Sequence, residues 1–159
     1  MHTDLSLDQM RAVIQRITRA SVSIDSRIKS SIGQGLLVLL GIEENDVQDD
    51  IVWLSGKIAR LRIFDDAEGV MNLSVDDAGA DVLVISQFTL HASTRKGNRP
   101  SYIRAAKPDI AVPVYNMFLQ QLQHEIKGQV LSGEFGANMQ ISLVNDGPVT
   151  IIIDTKIKE

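Results

Sequence analysis

Two short stretches hold residue types that could take part in a reaction. The first is Ser86-Gln87-Phe88-Thr89, where polar side chains follow the apolar run Val82 to Ile85. A polar group at the end of a buried strand has to be paired or used. A threonine hydroxyl becomes a nucleophile only with a base beside it. His91 lies two residues beyond Thr89, and in a strand the two would share a face. No acidic residue that could orient such a histidine stands nearby in the sequence. A strand simply running out at the surface accounts for the same residues. The second stretch is Asp146-Gly147-Pro148, which reads as a turn. A proline between two strands gives up a ladder donor. Only about 5–6% of X–Pro bonds in folded proteins are cis, so the residues alone predict a trans bond and a turn without chemical duty.

The rest of the chain narrows the chemistry by exclusion. There is no cysteine, which removes disulfides, thiolate nucleophiles and cysteine-ligated metal centres. His2, His91 and His124 are far apart, so no metal-ligand spacing exists and neither a metal nor a cofactor is expected. Gly33 and Gly35 do not open a phosphate loop or a dinucleotide fingerprint, because no helix pattern follows them. The net charge of −4 argues against a general nucleic-acid binder. Its distribution is uneven, however. Residues 95–107 (RKGNRPSYIRAAK) carry Arg95, Lys96, Arg99, Arg104 and Lys107 with no acid, leaving 11 basic against 20 acidic residues elsewhere. One basic segment on an acidic body suits a local contact with a phosphate backbone; a solvated loop is the plainer reading.

These residues need a scaffold, and 159 residues with 44% apolar and 23% charged composition suit one domain with a real core. No apolar run reaches the roughly 18 residues of a membrane span, and a cytoplasmic location is expected. Residues 1–9 read as a disordered extension or an upstream start, with the domain over 10–159. Arg11 to Ile24 alternates as a half-buried strand, Asp25-Ser26 is a turn, and Arg27 to Ser31 returns beside it. Leu36 to Leu40 between two glycines suits a strand buried on both faces. Val47, Ile51, Leu54, Ile58 and Leu61 mark an amphipathic helix over 47–61, with Asn45 or Asp46 as its cap. A hairpin flanks residues 65–69. Val82 to Leu90 reads as a second buried strand. A second helix is predicted from about Ile110 to a cap at Gly128, so that Pro113 falls near the first turn. Two strands, Met139 to Val144 and Val149 to Ile153, flank the Asn145–Pro148 turn. Together these predict an α/β domain of seven or eight strands, with mixed, largely antiparallel sheets and two main helices on one side.

Three blocks carry more than local structure: MRAVIQRITRASVSID over residues 10–25, SQFTL over 86–90 continuing through KGNRPSYIRAAKP over 96–108, and NDGPVTIIIDT over 145–155. In this order and spacing the chain resembles the bacterial D-aminoacyl-tRNA deacylase family over about 150 residues. The related animal tRNA deacylases carry another pentapeptide at the SQFTL position, so the intact Ser86 to Leu90 resembles the D-specific branch. The resemblance implies a homodimeric hydrolase that cleaves the ester between a D-amino acid, or glycine, and the terminal adenosine of tRNA. It implies that the Gly147-Pro148 bond is cis and projects into the partner's site, where its carbonyl oxygens exclude L-amino acids. It places Ser86, Gln87, Phe88 and Thr89 in the catalytic site, with backbone amides near Phe88 and Thr89 stabilising the oxyanion. Thr89 as a covalent nucleophile is the competing account. Arg16, in the strand VIQRI, is expected to brace the glycine–proline loop, or to be an ordinary surface arginine. Arg95, Lys96 and Arg99 are expected at tRNA phosphates. His91 follows the motif at a position that varies in the family and is given no catalytic role.

Overall fold

The computed structural model describes residues 10–44 and 48–157. The extension over residues 1–9 and the Asn45 or Asp46 helix cap fall outside them.

Alternating burial builds the first hairpin. Strand β1 (Arg11–Ile24) and strand β2 (Arg27–Ile32) are antiparallel neighbours. Their two-residue turn has positive φ at both positions, 51° at Asp25 and 66° at Ser26. That matches the twist of a hairpin. β1 is long enough to serve several partners. Its first half pairs with β3 (Gly35–Gly41), and nearly its whole length pairs with β8 (Gln140–Asp154), both antiparallel.

Two parallel neighbours extend the sheet: β6 (Asp81–Ser86) beside β3, then β7 (Val130–Ser132) beside β6. Parallel pairs need crossovers. Helix α1 (Gln48–Arg60) with the small hairpin β4 (Phe64–Asp65) and β5 (Met71–Leu73) supplies the first, and helix α2 (Pro108–Glu125) the second. The pairs are thus mixed and largely antiparallel, with two helices, as the patterning predicts.

Both helices cover one face. Ile51, Leu54 and Ile58 of α1 and Phe118 and Leu122 of α2 pack with Leu36, Val38 and Leu40 of β3 and Val82 and Val84 of β6. Each such buried aliphatic or aromatic side chain contributes about 1.5–3 kcal/mol. The Tyr115 hydroxyl of α2 donates to the Val84 carbonyl at 3.1 Å. On the opposite face the sheet curls around a second core of Ile17, Val22, Ile32, Leu37, Leu83 and Ile85. Its outer strands meet there, with Ser30 Oγ and Lys29 Nζ donating to the Ser132 carbonyl at 2.7 and 3.1 Å. β3 and β6 are therefore buried on both sides, as their unbroken apolar runs require.

Three boundaries differ from expectation. α2 begins at Pro108, so Pro113 lies a full turn inside it, where the missing N–H leaves the Asp109 carbonyl without its i+4 donor. α2 ends at Glu125, and Gly128 is no cap: a Cβ there would run into the Ala80 carbonyl. β6 stops at Ser86, and Phe88–His91 forms a 3-10 turn instead of continuing the strand. Among the described residues no helix is long and apolar enough to cross a membrane.

Candidate active site

The 3-10 turn changes what Thr89 and His91 can do. They no longer share a strand face. Gln87 N donates to the Leu40 carbonyl at 2.7 Å as the last bond of the β3–β6 ladder; Leu90 N then donates to Gln87 at 3.2 Å and Ala92 N to Thr89 at 3.1 Å, which curl the chain off the end of the sheet. Thr89 Oγ1 receives a hydrogen bond from Gln87 Nε2 at 2.5 Å. A carboxamide is not a base in either orientation. His91 is wholly buried and turned away, with Nδ1 at 2.7 Å from Glu43 Oε1. The same carboxylate oxygen lies 3.1 Å from Arg104 Nη2. Burial above all holds the His91 imidazole below its ordinary pKa; the guanidinium groups of Arg11 and Arg104 act in the same direction, against the Gly41 backbone and Asp154. Arg11 Nη1 also donates to the Leu90 carbonyl at 2.8 Å and its Nε to Asp154 at 2.7 Å.

Beside the turn is a cavity of about 240 Å³. Ser86, Gln87 and Phe88 form one wall, and Phe135, Ala137 and Met139 stand across from them. The lining is mostly apolar, with its polar side chains at Ser86 and Gln87, a composition usual for a small-molecule pocket. Phe88 is 54% exposed at the mouth and meets the edge of Tyr102, centroids 5.0 Å apart at 73°.

The basic segment follows directly. A bridge between Ser93 and Ser101 closes a loop over residues 94–100, and Arg95, Lys96 and Arg99 are exposed on it. Arg104 is not: it turns inward to Glu43. The loop's outward charge therefore comes from fewer residues than the sequence count implies.

Gly147 and Pro148 lie within one long strand rather than between two. β1 pairs Ile17 with Asn145 and Gln15 with Thr150, so four residues of β8, Asp146 to Val149, bulge out opposite Arg16 alone. The Gly147-Pro148 bond in the bulge is cis, and φ at Gly147 is 133°. That is a backbone region closed to residues with a Cβ, and a Cβ there would lie 2.8 Å from Val149 Cγ2 and 3.2 Å from Arg16 Nη2. Asn145 Oδ1 accepts from Val149 N at 2.9 Å across the base of the bulge. Both Gly147 and Pro148 are exposed. Arg16 beneath them is 7% exposed, so it is no surface arginine. Its Nε donates to the Asp146 carbonyl at 3.0 Å, and its Nη1 to the Ile63 carbonyl at 2.7 Å and Asp65 Oδ1 at 3.2 Å. The carboxylates of Asp65 and Asp146, at 3.2 and 3.5 Å from Arg16, are half exposed and contribute little, but the carbonyls need their donor. Arg16→Met is expected to cost about 2–4 kcal/mol in urea unfolding; a loss below about 1 kcal/mol would mean the bulge stands without it.

The two motifs do not meet in one chain. Ser86 pairs with Leu40, which pairs with Ala12, whereas Arg16 pairs with Leu36. The offset is four residues along the strands and three strands across, about 13 Å by 14 Å.

The sequence profile of the D-Tyr-tRNA(Tyr) deacylase family matches residues 13–154. A D-aminoacyl-tRNA deacylase of Parabacteroides distasonis is 60% identical over 150 residues, covering 94% of this chain and all of the relative. The chain belongs to the D-Tyr-tRNA(Tyr) deacylase family. It is accordingly an enzyme, a hydrolase of aminoacyl-tRNA esters. A solved structure described as a c-Myc DNA unwinding element binding protein superposes with a TM-score of 0.85 at 42% identity, covering 90% of this chain and 97% of that one. A second, described as a probable eukaryotic D-amino acid tRNA deacylase, has a TM-score of 0.79 at 16% identity, covering 92% and 99%, and shares the fold.

Within this deacylase fold, Ser86, Gln87 and Phe88 line the cavity, Thr89 follows them on the 3-10 turn without lining it, and Arg16 lies against the bulge of Gly147 and Pro148. Reading the sequence alone misses the far wall of the cavity, Phe135 to Met139, and the Glu43–His91–Arg104 cluster. Glu43 had one signal available: an acid directly after the apolar run Leu36 to Ile42. Nothing local connects it to residues 48 and 61 positions away.

Proposed function

We propose that the enzyme hydrolyses the ester joining a D-amino acid to the terminal adenosine of tRNA, and likewise glycine mischarged on a non-cognate tRNA. In this reading Gly147 and Pro148 of a partner subunit reject L-aminoacyl-tRNA. The observation that carries the reading is the bulge itself: an exposed Gly147-Pro148 pair, held on the buried guanidinium of Arg16, with no chemically active side chain at its tip.

The terminal adenosine enters the cavity beside Ser86 to Phe88. Water attacks the ester carbonyl carbon, and the negative charge passes to the carbonyl oxygen. The amides of Phe88 and Thr89 open the 3-10 turn, where donors have no partner within the turn, and they supply the stabilisation. Such a donor is worth about 2.7–4 kcal/mol in other hydrolases. The bond to the ribose 3′ oxygen then breaks, releasing the free amino acid and a tRNA with its 3′-hydroxyl restored. The vicinal 2′-hydroxyl orients and activates the water, so no base from the protein is required. Carbonyl oxygens of Gly147 and Pro148 contact the substrate's amino group when its centre is D or achiral. An L side chain would be driven into those oxygens, burying them without a donor.

Because the two motifs lie far apart in one chain, the loop must come from a second one. A C2 homodimer gives each site its neighbour's loop through one self-complementary interface. β8 offers the surface: it pairs only with β1 among the described strands, and Leu143, Val144 and Ile152 are exposed along it. Long uncovered edges invite pairing. Sedimentation is expected to give a dimer under assay conditions, and a fully active monomer would refute the arrangement.

Arg95, Lys96 and Arg99 contact acceptor-stem phosphates in this reading, and the enzyme acts in the cytoplasm, where its substrate is. Replacing all three with alanine is expected to reduce the slope of log affinity against log salt by about 2–3, at roughly 0.7–0.9 per phosphate contact. An unchanged slope would remove them from the interface. The reaction itself is tested by turnover on D-tyrosyl-tRNA. Release of many equivalents of D-tyrosine is the expected result; tRNA binding without release would make the chain a nucleic-acid-binding module instead.

A further inference from the structure

We infer that His91 is a positioning residue for the reaction: clamped by Glu43, it fixes the Phe88–Thr89 backbone at the mouth of the cavity. The inference rests on the reading of that backbone as the oxyanion donor.

The clamp is built from four elements. His91 closes the 3-10 turn, Glu43 follows β3, Arg104 comes from the basic segment and Arg11 from β1. His91 and Glu43 are both 0% exposed, and one Glu43 oxygen serves both His91 Nδ1 at 2.7 Å and Arg104 Nη2 at 3.1 Å. Arg11 holds the neighbouring Leu90 carbonyl and is itself held by Asp154. A histidine is a costly way to fill space here, because an apolar side chain would pack without desolvating a polar ring. What the imidazole adds is a polar tether. Its Nδ1 stands 2.7 Å from a carboxylate oxygen that can only accept, and this close approach ties the end of the turn to the residue that follows β3. The ring is pinned from the other side as well: a Cβ on Gly41 would lie 3.0 Å from Nε2 and Cδ2 and 3.1 Å from the Gln87 carbonyl. The bare backbone of β3 therefore presses on the ring and on Gln87 together. Wholly buried, His91 touches no substrate and is not itself a catalytic residue.

The test compares His91→Leu, His91→Gln and Gly41→Ala in the full chain, with kcat and KM for D-tyrosyl-tRNA and amide hydrogen exchange at Leu90 and Ala92. A misplacement of about 1 Å can cost about 10²-fold. His91→Leu is therefore expected to lower kcat by about 30- to 100-fold with KM for tRNA unchanged, and to speed exchange at both amides. His91→Gln restores a donor to Glu43 and is expected to recover most of kcat. Gly41→Ala, which leaves the Glu43 pair chemically intact, is expected to lower kcat by about 10-fold. A folded His91→Leu with wild-type kcat overturns the inference, as does an equal loss in the Leu and Gln variants. If His91→Leu does not fold, Gly41→Ala decides, and full kcat there overturns it. If the wild-type enzyme releases no D-tyrosine, the functional reading fails, and the clamp is judged by exchange alone: faster exchange in His91→Leu and in Gly41→Ala supports it, and unchanged protection in a folded His91→Leu, or in Gly41→Ala where His91→Leu does not fold, overturns it.

Discussion

Pro148→Ala is expected to lower the preference for D- over L-tyrosyl-tRNA by about 100-fold, with the protein still folded. The proposed gate would work by geometry rather than by a reactive group. Pro148 fixes its own φ, and Arg16 fixes the root of the bulge; in the proposal, the carbonyl oxygens of Gly147 and Pro148 face the substrate's α-carbon. An L side chain at that point strips water from the carbonyls and gives nothing back, about 1–3 kcal/mol for each. A total near 3 kcal/mol is about 100-fold, at tenfold per 1.4 kcal/mol. An alanine frees the backbone at position 148 and lets the oxygens retreat. The rate on the D substrate falls too, because its amino group loses its acceptors. Thermal unfolding should change little, since Pro148 is exposed and packs against nothing in its own chain's core. An unchanged D-to-L ratio would mean that discrimination lies elsewhere.

The second large effect belongs to the substrate. A tRNA ending in 2′-deoxyadenosine is expected to be hydrolysed about 10²- to 10⁴-fold more slowly, the usual range for removing a group that handles the proton of the attacking water. Thr89→Ala is expected to stay within about 10-fold of wild type. The reason is the company Thr89 keeps. Its hydroxyl faces the Gln87 carboxamide, and the nearest histidine in sequence is committed to Glu43 on the buried side. A covalent threonine would reverse both results, with the alanine variant dead and the 2′-deoxy substrate turned over normally. Single-turnover rates on the two tRNAs, measured with both proteins, separate the accounts.

What could be read from the sequence divides along a physical line. Features set by local periodicity were legible: the β1–β2 hairpin with its two-residue turn, the doubly buried β3 and the stripe of α1 all follow from spacing that any short window contains. Boundaries set by tertiary contacts were not. Val82 to Leu90 reads as one strand in sequence, but past the last ladder bond from Gln87 N to Leu40 the chain closes on itself through Leu90 N and Ala92 N, with His91 drawn to Glu43, and the strand ends at Ser86. Pro113 argues for a later helix start, yet burial of Ala111, Val114 and Tyr115 holds the first turn in place. At the candidate site, a glycine and a proline carry no pattern that marks them as more than a turn. Their placement depends on Arg16, 131 residues away in sequence from Gly147, and on register with β1. Family resemblance supplied the expectation of a cis bond that the residues alone did not.

The central claim is that a backbone loop without a reactive side chain sorts substrates by chirality, and the wild-type enzyme tests it most directly. Initial rates on D-tyrosyl-, glycyl- and L-tyrosyl-tRNA should be compared at equal concentrations. The account predicts rapid release from the D form, release from the glycyl form because glycine has no side chain to exclude, and an L rate indistinguishable from spontaneous hydrolysis. Hydrolysis of L-tyrosyl-tRNA as fast as the D form would contradict it.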